Sequence, residues 1–200
     1  MPHRCGEQQV NTADEVNVTV SGGQTNASDT AYTATATGLS GSDAANYTLT
    51  GGQNITQTFT IAKANPDVNV PTGLTATYGD TLADVTLTSG WAWDAPDTAV
   101  GNVGNNTFSA TYTPSDTANY NTVTENLTVT VSAKDITGAN ITLGGSLTYT
   151  GQQQTQQIAS VTVDGMAVTT YEISGNTGTD ADTYTLTISG TGNFTGEATQ

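Results

Sequence analysis

One short pattern occurs three times along this 200-residue chain, and this repetition limits the possible folds more than any other feature. In each copy an asparagine precedes an aromatic residue, and the aromatic positions lie 73 and 74 residues apart. The three pairs are Asn46-Tyr47, Asn119-Tyr120 and Asn193-Phe194. Strands ending at Lys63 and Lys134, and Leu-Thr pairs beginning at Leu74 and Leu147, recur in the same order. A fixed order at a fixed period predicts tandem copies of one unit, with the three aromatics filling the same core position.

These landmarks divide the chain into a leader and three modules. Residues 1–14 are expected to be a disordered leader, 15–63 a partial module lacking its front, 64–134 a complete module, and 135–200 a module lacking its final strand. The missing strand predicts an exposed sheet edge near the C-terminus. Because the leader lacks the apolar run of a secretory signal and no stretch of 18 apolar residues occurs, we expect a segment of a longer exported protein without membrane insertion.

Threonine supplies 43 of the 200 residues, and its β-branched side chain favours half-buried strands over helices. Strings such as Leu127-Thr128-Val129-Thr130-Val131 and Tyr184-Thr185-Leu186-Thr187-Ile188 alternate apolar and polar side chains, as strands with one buried face do. Asp164-Gly165 between two apolar runs predicts a tight hairpin. The sequence therefore predicts an all-β chain of tandem small β-sandwich modules of the Ig-like kind. A β-grasp-like module is the alternative, since strand order cannot be read from one sequence.

The charge balance excludes several classes of partner. Eighteen acidic residues against three basic ones give a formal net charge of −15, which repels nucleic acid and anionic membrane surfaces. His3 and Cys5 are the sole histidine and cysteine, and both lie in the leader. A Ser-His-acid triad, a Cys-His dyad or a zinc site would need such residues beside further partners. We therefore predict no enzyme and no cofactor, with neighbouring repeats of the same chain as the main partners.

A tryptophan pair offers a candidate ligand site. Trp91 and Trp93 alternate along one strand and so share a face of the sheet. Both indoles could pack in the core, or both could form an exposed platform for a sugar ring, with Asp94 and Asp97 beside it, in a carbohydrate- or mucin-binding module. Paired carboxylates could also serve a glycosidase, although so small a repeat has no room for a deep cleft. The turn-like string Asp94-Ala95-Pro96-Asp97 favours the core interpretation.

Loop carboxylates raise the possibility of calcium, which takes oxygen ligands from Asp, Asn and backbone carbonyls. The candidates are Asp180 with Asp182, and Asp94 with Asp97. The spaced acidic loop of an EF-hand is missing, and aspartate also suits turns because it bonds nearby backbone amides. Lys63 and Lys134, at the module junctions, are expected to form salt bridges or to protect strand edges rather than to crosslink.

The second module resembles a known repeat family. Thr75-Ala76-Thr77-Tyr78-Gly79-Asp80-Thr81-Leu82, Gly90-Trp91-Ala92-Trp93-Asp94 and Phe108-Ser109-Ala110-Thr111-Tyr112-Thr113-Pro114 are similar to the YGX-type, mostly-beta glycine-rich (MBG) repeats of bacterial surface proteins. The third module departs from this pattern, with Tyr149-Thr150-Gly151-Gln152 at the turn. The resemblance implies an extracellular, cell-wall-associated stalk or adhesin without catalytic residues, whose partners could include host glycans or matrix.

Overall fold

The computed structural model describes residues 3–5, 13–49 and 55–200. In that part of the chain it contains strands and two short 3-10 helices, which confirms the all-β prediction. The chain divides into two compact units. The first unit combines Met1–Asp67 with Thr113–Val123, and the second combines Val68–Tyr112 with Thr124–Gln200. Most of the second predicted module and all of the third thus lie in one compact unit. The module boundary predicted at residue 134 does not separate two units.

The first unit is built around a three-stranded antiparallel sheet. Its elements are β1 (His3–Cys5), β2 (Asn17–Ser21), β3 (Ser28–Ser40), a 3-10 helix (Ala44–Asn46), β4 (Tyr47–Leu49) and β5 (Ile55–Ile61). The sheet order is β2-β3-β5, and among the described residues none of the buried core side chains belongs to this unit. β1 pairs in parallel with β4. His3–Cys5 of the predicted leader is therefore a strand, because its backbone pairs with β4. Residues 1–2 and 6–12 of that leader lie outside the described residues.

The complete second repeat forms a four-stranded sheet. Its strands are β6 (Leu74–Thr77), β7 (Trp91–Trp93), β8 (Gly104–Tyr112) and β9 (Val123–Ser132), in the order β6-β9-β8-β7. A 3-10 helix, Leu82–Asp84, interrupts the long connection between β6 and β7. β6 and β9 run parallel, with Leu74 opposite Val129. Along β9 the predicted alternation is confirmed, since Leu127, Val129 and Val131 are buried while the intervening threonines are exposed.

The third repeat consists of shorter strands in several small sheets. They are β10 (Lys134–Asp135), β11 (Asn140–Leu143), β12 (Gln154–Thr155), β13 (Ile158–Val163), β14 (Met166–Ala167), β15 (Tyr171–Ser174), β16 (Thr177–Gly178), β17 (Thr187–Gly190), β18 (Phe194–Thr195) and β19 (Glu197–Thr199). The predicted hairpin joins β13 to β14. Asp164 adopts φ 49° and Gly165 φ 79°, the positive values that this tight turn requires.

Two hydrophobic cores lie in the second unit, one in each repeat. The first gathers Leu82, Val85, Trp91, Trp93, Val100, Ala110, Leu127, Val129 and Val131. The second gathers Ile136, Ile141, Val161, Val163, Val168, Leu186, Ile188, Phe194 and Ala198. Tyr78 is partly buried and packs against both cores. The repeats therefore keep separate cores that share one aromatic side chain, as a tandem sandwich-like architecture implies.

Candidate functional site

The tryptophan pair belongs to the core. Trp91 and Trp93 are 8% and 9% exposed, and the indole Nε1 of Trp93 donates to the Val85 carbonyl at 2.9 Å. Trp91 Nε1 donates to the Asn69 carbonyl at 3.1 Å. With both faces packed and both N–H groups satisfied, the indoles present no platform to a sugar. The alternative of an exposed tryptophan site is wrong, and the core interpretation is confirmed.

The acidic candidates beside the tryptophans differ in their surroundings. Asp94 accepts hydrogen bonds from the Ser109 hydroxyl and, at 2.8 Å, from the Thr111 hydroxyl. These bonds, that of Ser109 first, hold the pKa of Asp94 below its usual value. Asp97 lies exposed in the following turn. Asp94 thus ties β7 to β8 through two hydroxyl groups.

Asp180 and Asp182 lie in one bent segment and make local hydrogen bonds. The Tyr184 hydroxyl donates to the Asp180 carbonyl at 3.1 Å, and the Asp182 carboxylate accepts the Thr183 backbone N–H at 2.7 Å. Within the described residues no group of three or more His, Cys, Asp or Glu side chains could hold a metal ion. The Asp182 carboxylate thus serves a local turn, and calcium binding at the two candidate pairs stays a prediction.

The copies share a parallel backbone pairing between the start of the repeat and its Asn-aromatic pair. At the second repeat, Ala64 N donates to the Asn119 carbonyl and Asn121 N donates back to the Ala64 carbonyl, both at 2.9 Å. This forms a parallel bridge between Ala64 and Tyr120. At the third repeat, Lys134 pairs in parallel with Phe194. The segment that begins each repeat is thereby paired, backbone to backbone, with the Asn-aromatic pair of the same repeat. We call this paired region the junction.

The same pairing occurs at the first repeat. His3 lies opposite Tyr47 in the parallel pair of β1 with β4. The residues that pair with the junction differ in type, since His3, Ala64 and Lys134 share no side-chain chemistry. Because the pairing uses backbone groups alone, it recurs in each copy although the paired residue differs in type. The three landmarks therefore mark equivalent backbone positions, as the sequence period predicted.

The asparagine side chain of the junction reaches further along the chain. Asn119 Oδ1 accepts the Ala27 backbone N–H at 2.7 Å. Asn193 Oδ1 accepts the Val103 backbone N–H at 3.0 Å, and its Nδ2 donates to Asn102 Oδ1 at 3.0 Å. In both cases the partner segment precedes a strand of the preceding sequence module. Asn193 thus clamps the third repeat to the second, whereas the Asn119 bond lies within the first unit. The sequence signalled this role only by the recurrence of asparagine before the aromatic.

The aromatic residue of the junction is buried in only one copy. Phe194 is 3% exposed and meets Tyr78 edge-on, with ring centroids 5.4 Å apart. Tyr120 is 40% exposed, and Tyr47 is half-buried, with its hydroxyl donating to Asp14. The prediction that all three aromatic side chains fill one core position is therefore wrong, because only that of Phe194 is buried. Their backbone positions do correspond.

Charged groups add to the third junction. Lys134 forms an ion pair with Asp164 at 2.7 Å, and this hydrogen bond raises the pKa of the lysine. Lys63 instead donates to the Thr117 carbonyl at 2.8 Å. The expected salt bridge is thus confirmed for Lys134, while Lys63 bonds a backbone oxygen. Both contacts are exposed to solvent, so they orient the junction more than they stabilise it.

Comparison with family models, characterised proteins and solved structures finds no significant match to this chain. No helix in the described ranges combines the length and the apolar character needed to cross a bilayer.

Proposed function

We propose that this chain is a structural segment of a bacterial cell-surface protein, in which tandem β repeats act as a spacer or adhesive stalk outside the cell. The observation that carries the proposal is the junction, which recurs with the same backbone pairing at His3, Ala64 and Lys134. The resemblance of the second repeat to the YGX-type MBG repeats supports the same assignment. A spacer needs no reactive group, only repeats held in a defined order.

The contacts between the second and third repeats suit this role. Asn193 bonds the segment at Asn102 and Val103, Phe194 packs on Tyr78, and Lys134 pairs with Asp164. A flexible linker would leave such repeats free to move. Here the connection between β9 and β10 is a single residue, Ala133, so the chain allows little separate motion of the two repeats.

A further feature favours an extracellular setting. The surface is rich in threonine, serine and asparagine with few cations, and the net charge is −15. Net charge of one sign keeps a protein soluble and resists nonspecific association. An exposed spacer benefits from both properties because it meets many other macromolecules.

Distance measurements by electron paramagnetic resonance test the spacer directly. Spin labels would be placed at the exposed positions Ser89 in the second repeat and Ser174 in the third, with Cys5 replaced by serine. We expect a single narrow distance distribution, as narrow as that of a control pair at Ser89 and Glu125 within the second repeat. A distribution much broader than the control would show freely moving repeats and contradict the spacer function.

Location is tested separately on cells that express the native gene. Intact cells would be treated with a protease, and the released peptides identified by mass spectrometry. Peptides of this chain are expected among those released from intact cells, with cytoplasmic marker proteins retained. Release only after lysis would contradict a surface location.

A further inference from the structure

A methionine lies at the contact between the second and third repeats. Met166 begins β14, directly after the Asp164-Gly165 turn, and pairs with Val163 of β13. Its side chain is half-buried and packs against the core of the third repeat. The sequence has one other methionine, Met1, which lies outside the described residues. Met166 is therefore the one thioether that the described part of the chain brings to this contact.

The side chain of Met166 covers a turn of the second repeat. A β-carbon added to Gly79 would lie 2.1 Å from Met166 Cε and 3.3 Å from Met166 Sδ. Among the described residues, no other atom beyond the chain neighbours of Gly79 comes within 4 Å of that position. Gly79 adopts φ 100°, in the region that favours glycine. The thioether thus lies directly against the backbone of the Tyr78-Gly79-Asp80 turn, where any other residue would exclude it.

This turn carries the aromatic contact between the two repeats. Tyr78 packs against both cores and meets the ring of Phe194. Its backbone N–H donates to the Ser132 carbonyl at 2.9 Å, and that of Asp80 donates to the Thr77 carbonyl at 3.0 Å. A chemical change at the Met166 sulfur therefore acts on the turn that holds Tyr78 between the cores.

We propose that Met166 is a modification site, at which hydrogen peroxide oxidises the thioether to the sulfoxide and so releases the β13–β14 hairpin from the Tyr78-Gly79-Asp80 turn. The sulfur lone pair attacks one peroxide oxygen, the O–O bond breaks and an S–O bond forms. The hydroxide that leaves takes up the proton of the transferred oxygen and becomes water. The sulfur is oxidised and the peroxide is reduced, so no further reactant is needed.

The sulfoxide no longer fits the place that the thioether occupies. Its oxygen is a polar acceptor, and burying it without a hydrogen bond is unfavourable. The core side chains against which Met166 packs are apolar, so the oxidised side chain turns towards water and uncovers Gly79. The contact between the repeats is then weaker. This regulation rests on the proposed spacer function, since it changes how firmly the spacer holds its repeats.

Peroxide treatment of the full chain tests the proposal. Mass spectrometry measures the conversion of Met166, and NMR measures amide hydrogen exchange of Tyr78 and Asp80. We expect exchange at these two amides to become about tenfold faster, and to slow again after treatment with a methionine sulfoxide reductase. The amide of Asp94, bonded to the Ser109 carbonyl within the second repeat, should be unaffected.

Met166→Leu is the matched control, because leucine keeps a similar apolar volume and has no sulfur to oxidise. The same peroxide treatment should leave its exchange at Tyr78 and Asp80 unchanged. Reversal by the reductase in the unmodified sequence gives a second comparison that needs no substitution.

Four outcomes would overturn the proposal. They are unchanged exchange at Tyr78 and Asp80 after full conversion of Met166, equal acceleration in Met166→Leu, equal acceleration at Asp94, and a Met166 that stays unoxidised while Met1 is fully converted. Acceleration confined to the turn, absent from the control and reversed by the reductase is the supporting result. Failure of the spacer function is seen separately, as a broad distance distribution between the repeats before any peroxide is added.

Discussion

Replacing Phe194 with alanine is expected to unfold the third repeat more easily and to weaken the second repeat with it. Phe194 is 3% exposed and packs in the third core, and such truncations cost about 3–5 kcal/mol. Its edge-on contact with Tyr78 is part of that cost, ~0.5–1.5 kcal/mol where both rings are well packed. Because Tyr78 is only partly buried, we expect about 3–4 kcal/mol for Phe194→Ala, which is a large part of the stability of a small domain.

Tryptophan fluorescence in a urea titration is the informative assay. Both indoles lie in the core of the second repeat, whereas Phe194 belongs to that of the third. A change at Phe194 that lowers the midpoint of the tryptophan transition therefore shows that Tyr78 and the junction couple the two cores. Circular dichroism, followed in parallel, reports unfolding of the whole chain.

Tyr120→Ala is the matched control, because Tyr120 is the equivalent residue at the second junction and is 40% exposed. We expect it to cost about 1 kcal/mol or less, as substitutions of exposed side chains do. A tryptophan midpoint unaffected by Phe194→Ala would refute the coupling. Equal costs for the two substitutions would refute the reasoning from burial.

Three further results are expected. In a double-mutant cycle on Asn102→Ala and Asn193→Ala, followed by urea unfolding, the coupling energy should be about 0.5–1 kcal/mol, and a value near zero would contradict the clamp. Ser109→Ala should raise the pKa of Asp94 toward 3.8, as an NMR titration of the carboxyl carbon would show. The hydrogen-bonded Asp94 carboxylate stabilises the fold above pH 3.8, and this stabilisation is lost as the pH falls through the lowered pKa. Acrylamide should quench the two tryptophans weakly, with no change when sugars are added; strong quenching would contradict their burial.

Local strand patterns could be predicted from the sequence because they depend on neighbouring residues. The alternation along β9 specified which side chains face inward, since successive residues point to opposite faces of a strand. The Asp164-Gly165 hairpin followed in the same way from the backbone conformations that these two residues tolerate. Both features depend on residues that lie within a few positions of one another in the sequence.

Contacts between distant segments were beyond this kind of reasoning. β6 and β9 are separated by more than forty residues and pair in parallel, an arrangement that no short pattern encodes. Asn193 finds its partners ninety and ninety-one positions earlier. Tyr120 and Phe194 occupy the same place in the repeat, but only the burial of Phe194 is complete, and its ring meets Tyr78 of the preceding module. The first module as predicted, residues 15–63, has no Tyr-Gly-Asp string like the one that contains Tyr78.

The parallel pairing of β6 with β9 has a mechanical consequence. β6 lies near the beginning of the second repeat and β9 at its end, and four residues of each strand lie opposite one another. Tension applied to the two ends of the repeat would pull these parallel strands in opposite directions along their length. All the hydrogen bonds between them would then bear the load together, whereas strands peeled apart from one end release their bonds singly. A repeat closed in this way resists extension until the whole interface slips.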